Sequence, residues 1–411
     1  MINRWLPGLC CFLLMLTEAG GFNIRVPGDV RTLHEALKKA NPYDTILVDG
    51  GTYAEGNLLI DKPLVLLGVN NPVIDGKFKV ETISIKSSHV TVQGFRIINT
   101  GYSSMDDMAA ISVNTARHVH ITNNILENTF FGIHFTNSTH CLVANNNIHG
   151  PVGRVQNDVG NGIHFWKCSF NRILNNEISG HRDGIYFEFV RNTVIANNKS
   201  HNNLRYGLHF MFSDSDNYYR NVFTNNGSGV AVMYSRYVNM LENTFDHNWG
   251  GSAYGLLLKD IRDSQISGNL FRKNTVGIHM EGCSRSLIYK NTLTENGYAI
   301  RMQADCDDNR LSFNSFLVNT FDMITNGNTV LNSIRYNYWD RYAGYDMQRD
   351  GIGDQPYHPM NLFSSIVEQN PVTVIFLKSF LAELLDTLEK LIPGITPENL
   401  IDSKPLMKQY A

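Results

Sequence analysis

Three residues pose the chemical question: His209, Met211 and Met233. The two methionines are 22 residues apart, and His209 precedes the first of them by two. Thioether sulfur with imidazole nitrogen suits a soft, thiophilic ion, for which Cu(I) is the natural candidate. Met105 and Met108 in one loop could add thioethers, and His134 and His164 could add imidazoles. The same residue types also make an adaptable apolar surface for a partner protein, with Trp166, Tyr186, Glu188, Trp249 and Lys259 as its contacts. A third chemistry is polysaccharide binding, or lyase or epimerase action on a uronate, through Tyr186, Glu188, His209 and Lys259 as carboxylate, base and cation. Against it, the group is poor in cations for gripping an acidic sugar chain, and two methionines have no work there. On the residues alone the three readings stay open.

The elements that must position these residues are short repeated strands. Gly-Ile-x-Phe recurs from positions 132, 162, 184 and 207, with looser copies from Ala110, Gly229, Gly255, Gly277 and Ala299. Successive gaps are 22, 30, 22, 23, 22, 26, 22 and 22 residues. An Asn marks a bend in each repeat: Asn124, Asn147, Asn176, Asn198, Asn221, Asn243, Asn269, Asn291 and Asn314. A period near 22 with no helix between strands predicts an all-β, right-handed parallel β-helix, here of about eleven turns. Alternation along each strand then turns His134, His164, Tyr186, His209 and His279 outward in one column, with Trp166, Glu188, Met211, Met233 and Lys259 beside them. The longer gaps place extra residues before the repeated strand, at Pro151 to Asn161 and around Trp249, and Asn99 to Met108 sits equivalently. Long loops on a rigid scaffold commonly carry function.

With 411 residues and a formal net charge of −3, the chain carries a large core and no electrostatic footprint for nucleic acid. Residues 1–21 read as a secretory signal, with Arg4, an apolar run from Cys10 to Leu16, and Thr17-Glu18-Ala19 as the cleavage site. Export permits disulfides. Cys283 and Cys306, one repeat apart, are either bridged or two buried thiols. Residues 22–56 form an N-terminal cap whose helix starts at Thr32 with Glu35 completing a capping box. The coil proper covers 57–340 and a terminating loop 341–361. Asp346, Asp350 and Asp354 in that loop give a weak Ca²⁺ pattern, since its closing Glu is missing.

Residues 362–411 change character to an amphipathic helical tail, whose apolar stripe includes Leu377, Phe380, Leu381, Leu384, Leu385 and Leu388, with Phe376 just before it. This tail either caps the coil or presents an apolar face to a membrane protein, through Phe376, Phe380, Leu381, Leu384 and Leu385. Residues from Pro397 onward read as an extended arm.

Several segments carry a resemblance. Leu204-Arg-Tyr-Gly-Leu-His-Phe-Met-Phe-Ser213, Gly229-Val-Ala-Val-Met-Tyr-Ser235, Tyr254-Gly-Leu-Leu-Leu-Lys-Asp260, Asn337-Tyr-Trp-Asp340 and the tail around Ser379-Phe-Leu381 resemble the NosD family, periplasmic maturation proteins of nitrous oxide reductase. The resemblance implies a non-enzymatic carrier and docking platform, peripheral to the inner membrane. It implies four partners: the membrane subunit and the ATPase of an ABC transporter, a copper-donor lipoprotein, and the apo-reductase. It implies Cu(I) as the ion, converging with His209, Met211 and Met233.

Overall fold

Each repeated strand carries apolar side chains at alternate positions, and the chain buries them by winding. In the computed structural model, which describes residues 21–103, 105–151, 153, 158–327, 331–392, 397 and 399–409, the strands pair only with their equivalents one turn away, all in parallel. They form three long sheets of 14, 12 and 13 strands, so the coil has about 13 turns, two more than the repeat count suggested. The early turns carry no Gly-Ile-x-Phe signature and were not visible as repeats. Strands at Asn23–Val26 and Thr45–Val48 already belong to the coil. The signal segment, residues 1–20 in particular, lies outside the described residues.

The repeat glycine has a steric cause. A Cβ on Gly207 would lie 2.8 Å from the carbonyl oxygen of Gly229, and one on Gly255 2.7 Å from that of Gly277. The turns approach too closely there for a side chain. Inside the coil, Phe135, Phe165, Phe187 and Phe210 meet turn upon turn, the first pair stacked and the next two edge to face, and Phe223, Phe245 and Phe271 make a stack.

Two asparagine ladders fix the bends. Asn124, Asn146, Asn176, Asn198, Asn221, Asn243, Asn269, Asn291, Asn314 and Asn337 form the first. Asn221 is typical: its Nδ2 donates to Asn243 Oδ1 at 3.0 Å and to the Ile195 carbonyl at 2.9 Å. The ladder member in its turn is Asn146, not Asn147, which lies in the following strand with its side chain on the other side. Both residues of the pair are Asn, so the sequence did not distinguish them. The second ladder runs through Asn203, Asn226, Asn248, Asn274, Asn296 and Asn319, with His181 at its head.

The ends are closed differently. Helix α1 (Leu33–Lys39) is capped by the Thr32 hydroxyl and buries Leu33, Ala36 and Leu37 over the first turns. The far end is closed by helix α2 (Leu362–Gln369), which lays Phe363 and Val367 on Phe321 and Ile324. The arm beyond Pro397 is not merely extended. It returns to the coil, and buried Asp402 takes the next position of the first ladder, accepting from Asn337 Nδ2 at 3.1 Å and Trp339 Nε1 at 3.1 Å.

Candidate metal-binding column

The 12-stranded sheet carries His134, His164, Tyr186, His209, Met211 and Met233 on its outer side, in two tracks set by strict register. The first reads Ser112, His134, His164, Tyr186, His209, Ala231, Leu257, His279, Arg301. The second reads Thr136, Trp166, Glu188, Met211, Met233, Lys259, Glu281. Met211 and Met233 are therefore direct neighbours on adjacent turns, about 4.8 Å apart along the stack. Both are half-buried.

The first track is less open than alternation implied. His209 is 4% exposed and His279 7%. The rings of Tyr206 and Tyr254, from the starts of the same and a neighbouring strand, lie 4.9 Å and 5.1 Å from them and shut out water. Within this track the rings touch in sequence: His134 to His164 at 4.5 Å, His164 to Tyr186 at 4.7 Å, Tyr186 to His209 at 5.1 Å. Burial holds both His134 and His164 below the ordinary imidazole range, so both stay neutral and able to ligate. Burial and the nearby Glu188 carboxylate push the Tyr186 phenol up to about 12, so it remains protonated, 3.7 Å from Met211 Sδ.

Against His209 lies a charged group that the sequence did not disclose. Asp183 is fully buried and is gripped by Arg205 through Nε at 2.8 Å and through Nη2. Burial alone would raise its carboxyl, but the hydrogen bonds and charge of Arg205 help to outweigh that and hold it below the carboxylate range. Arg205 Nη2 also lies 3.1 Å from His209 Nδ1. A guanidinium only donates, so Nδ1 accepts and the ring proton sits on Nε2. That atom is buried with no partner. Asp183 opens its strand one residue before the repeat glycine, and its role is set by a salt bridge across turns, which a strand pattern does not reveal.

The secondary candidates divide. Met105 and His134 line one cleft of about 480 Å³ with Glu81, Asp106, Asp107 and Ser112. Met105 is 92% exposed, whereas Met108 turns back toward Gly101. Trp166 and Glu188 stand on the second track, whereas Trp249 projects from its loop beside Gly297. Lys259 does not join Tyr186 and Glu188: it is three turns from Glu188 by register and is paired with Glu281 at 2.7 Å. The carboxylate–base–cation group for sugar chemistry is thus not assembled. In the terminating loop the three aspartates serve their own backbone: Asp346 accepts from Asp350 and Gly351 N–H, Asp350 from Ile352, and Asp354 from Met347. Cys283 and Cys306 are buried free thiols on adjacent turns. The tail is not one helix but α2, a 3-10 turn at Pro371–Phe376 and helix α3 (Phe380–Leu391). Leu377, Ala382 and Leu385 face the coil-end cluster, while Phe376, Phe380, Leu381 and Leu384 are exposed. No described helix is long and apolar enough to cross a membrane.

The family model described as "Periplasmic copper-binding protein (NosD)" matches residues 147–347, which include His164, His209, Met211 and Met233. Two relatives, each named "Probable ABC transporter binding protein NosD", are 29% identical: one from Stutzerimonas stutzeri over 86% of this chain and 85% of its own, one from Pseudomonas aeruginosa over 88% and 87%. The chain is thus similar to the NosD family over residues 147–347 and to these two relatives over most of its length. Solved structures share the fold alone. A catalytic domain of a GH87 α-1,3-glucanase aligns with TM-score 0.57 at 12% identity, covering 77% of this chain and 69% of that one. The mannuronan C-5 epimerase AlgE6 A-module of Azotobacter vinelandii aligns with TM-score 0.53 at 14% identity, covering 74% and 93%. The coil of this chain is therefore a fold that these sugar enzymes also use. Here the outer column holds imidazoles and thioethers, with the Asp183–Arg205 pair against His209.

Proposed function

We propose that this chain is a Cu(I) carrier and docking platform, working with an ABC transporter to assemble the copper–sulfide centre of nitrous oxide reductase. The observation that carries the reading is the register pairing of Met211 with Met233, on the same outer face and two positions along the strand from His209, whose Nε2 is buried without a partner. Two neighbouring thioethers give a soft first hold on the ion. For His209 to join, its proton must pass from Nε2 to Nδ1. Asp183 Oδ2, 3.7 Å from Nδ1, is the acceptor that would then fix the ring, as carboxylates commonly do behind metal-bound imidazoles. Arg205 would give up its contact with Nδ1 while keeping Asp183. Capture and release are thus tied to one small rearrangement, which suits an ion in transit. His164 and His134, neutral and in ring contact, lead from this point toward the cleft that holds Met105.

ATP hydrolysis would belong to the transporter, copper would come from a donor lipoprotein, and the apo-reductase would receive it. Helix α3, with its outward Phe380, Leu381 and Leu384, supplies the docking face for the membrane subunit. The test is a chelator competition for Cu(I) under reducing conditions. Replacing Met211 and Met233 together by Leu keeps volume and should weaken binding at least ten-fold. Affinity equal to that of the unaltered protein overturns the site.

A further inference from the structure

The corner that follows the second track carries aromatic rings where its backbone disfavours them. Phe189, Phe212 and Tyr234 come directly after Glu188, Met211 and Met233, on three successive turns. All three have left-handed backbone, with φ of 55°, 51° and 53°. Bulky side chains rarely take that conformation, and the exceptions cluster at functional sites. On the neighbouring turns the same position holds Asn137, Lys167, Asp260 and Gly282, polar residues or glycine. The three rings stack nearly parallel, 5.4 Å and 5.0 Å between centroids, yet stay 41–44% exposed. Phe170 and Tyr237, also exposed, stand three residues on from Lys167 and Tyr234 and form a second aromatic column. Between the two runs a charged one, Arg191, Asp214, Arg236 and Arg262. Arg236 is paired with Asp214 at 3.4 Å. Lys167, Arg191 and Arg262 are exposed without an ion pair among the described residues, against one exposed carboxylate in the same state, Asp260. The ridge is thus locally cationic on a chain of formal net charge −3.

We propose that this ridge is the docking surface for the protein that receives the ion, which meets it with an apolar surface edged by carboxylates. The inference rests on the Cu(I) reading of Met211 and Met233. An ion leaving two thioethers has to pass straight to new ligands, so its receiver must lie against the second track. The ridge is the next residue along on each of those turns. Exposed aromatic rings and arginines are the side chains enriched where proteins meet, and they carry most of the binding energy there. The unpaired cations complement a carboxylate rim and steer its approach. The membrane subunit has a separate face in that reading, on α3 at the far end of the coil.

The alternative is that the rings only stack on one another, and Asn separates the two accounts. Phe189→Asn, Phe212→Asn and Tyr234→Asn together install the residue that Asn137 already supplies at this corner, with φ of 50°. Association of the full chain with metal-free nitrous oxide reductase is read by titration calorimetry. The triple variant should keep its Cu(I) affinity and bind the reductase at least about ten-fold more weakly. Association of the unaltered protein should weaken as salt rises. Arg191→Glu with Arg262→Glu, at exposed positions, should lower it likewise with no change in Tm, and this pair replaces the triple variant if that fails to fold. The Met211→Leu/Met233→Leu protein should bind the metal-free reductase as before. Failure of the ion site therefore shows as unchanged Cu(I) affinity in the Leu protein, and failure of the ridge as unchanged association in the Asn protein. Undiminished association in the folded ridge variants, or none by the unaltered chain, overturns the proposal. So does a loss confined to the donor lipoprotein or the membrane subunit, which would assign the ridge to that protein.

Discussion

His181 shows how one residue can depart from its ladder and leave a measurable trace. The next six turns have Asn at that position, from Asn203 to Asn319, and His181 donates its backbone N–H to Asn203 Oδ1 as an Asn would. Its ring is fully buried with both nitrogens unpartnered, and burial pushes its pKa down to about 3. The unfolded chain therefore takes up a proton below pH ~6.5 that the folded chain refuses. His181 contributes full stability above that pH and loses about 1.4 kcal/mol per pH unit as the pH falls toward the folded value. His181→Asn should remove this slope, so that its stability by urea unfolding overtakes the unaltered protein's progressively between pH 6 and 4. The raised carboxyls of Asp216 and Asp322 act in the opposite sense in both proteins and cancel in the difference. A parallel pH dependence for both proteins would show that the ring is reached by water. His209, Met211 and Met233 were legible because alternation and period fix direction and height. Asp183 and Arg205 were not, because a buried ion pair across two turns has no local signature.

At the scale of elements, the strands announced themselves and the tail did not. The Gly at each strand start and the Asn at each bend are steric and hydrogen-bonding necessities of turns stacked this closely, so the sequence repeats them. The tail has one amphipathic stripe in sequence, but the structure divides it: Leu377 and Leu385 pack on the coil end and Phe376, Phe380, Leu381 and Leu384 do not. Pro371, which starts the 3-10 turn after α2, explains the break. The division allows a clean test of docking. Phe380→Ser with Leu384→Ser changes only exposed positions and should shift Tm by no more than a few degrees. It should abolish copurification with the membrane subunit; unchanged recovery would assign α3 to capping alone. Arg301 Nη2 to Glu368 at 2.7 Å ties α2, the helix that closes the coil, to the same sheet that bears the column.

For the whole molecule, stability is close to a sum over turns and their interfaces. Asn221→Ala, in the middle of the first ladder, removes a buried side chain that bonds Asn243 Oδ1 and the Ile195 carbonyl. It should cost about 1–3 kcal/mol, read by denaturant unfolding. The loss should be local, so hydrogen exchange would quicken in the turns beside Asn221 and not near α1. The turn count fell short in the sequence because the first turns lack the repeat signature, and the role of the arm beyond Pro397 was hidden because one Asp, 65 residues past Asn337, replaces an Asn. That replacement has a consequence for biosynthesis. Asp402 is made long after the turn it seals, so every shorter nascent chain presents an open strand edge and an unfinished ladder, the kind of template on which chains pair with one another. Sealing thus acts as a check on completeness. A copy stopped before Asp402 should be cleared by proteases or aggregate, while a full-length Asp402→Asn copy, able to accept from Asn337 in the same way, should pass; pulse-chase of the two forms would show it.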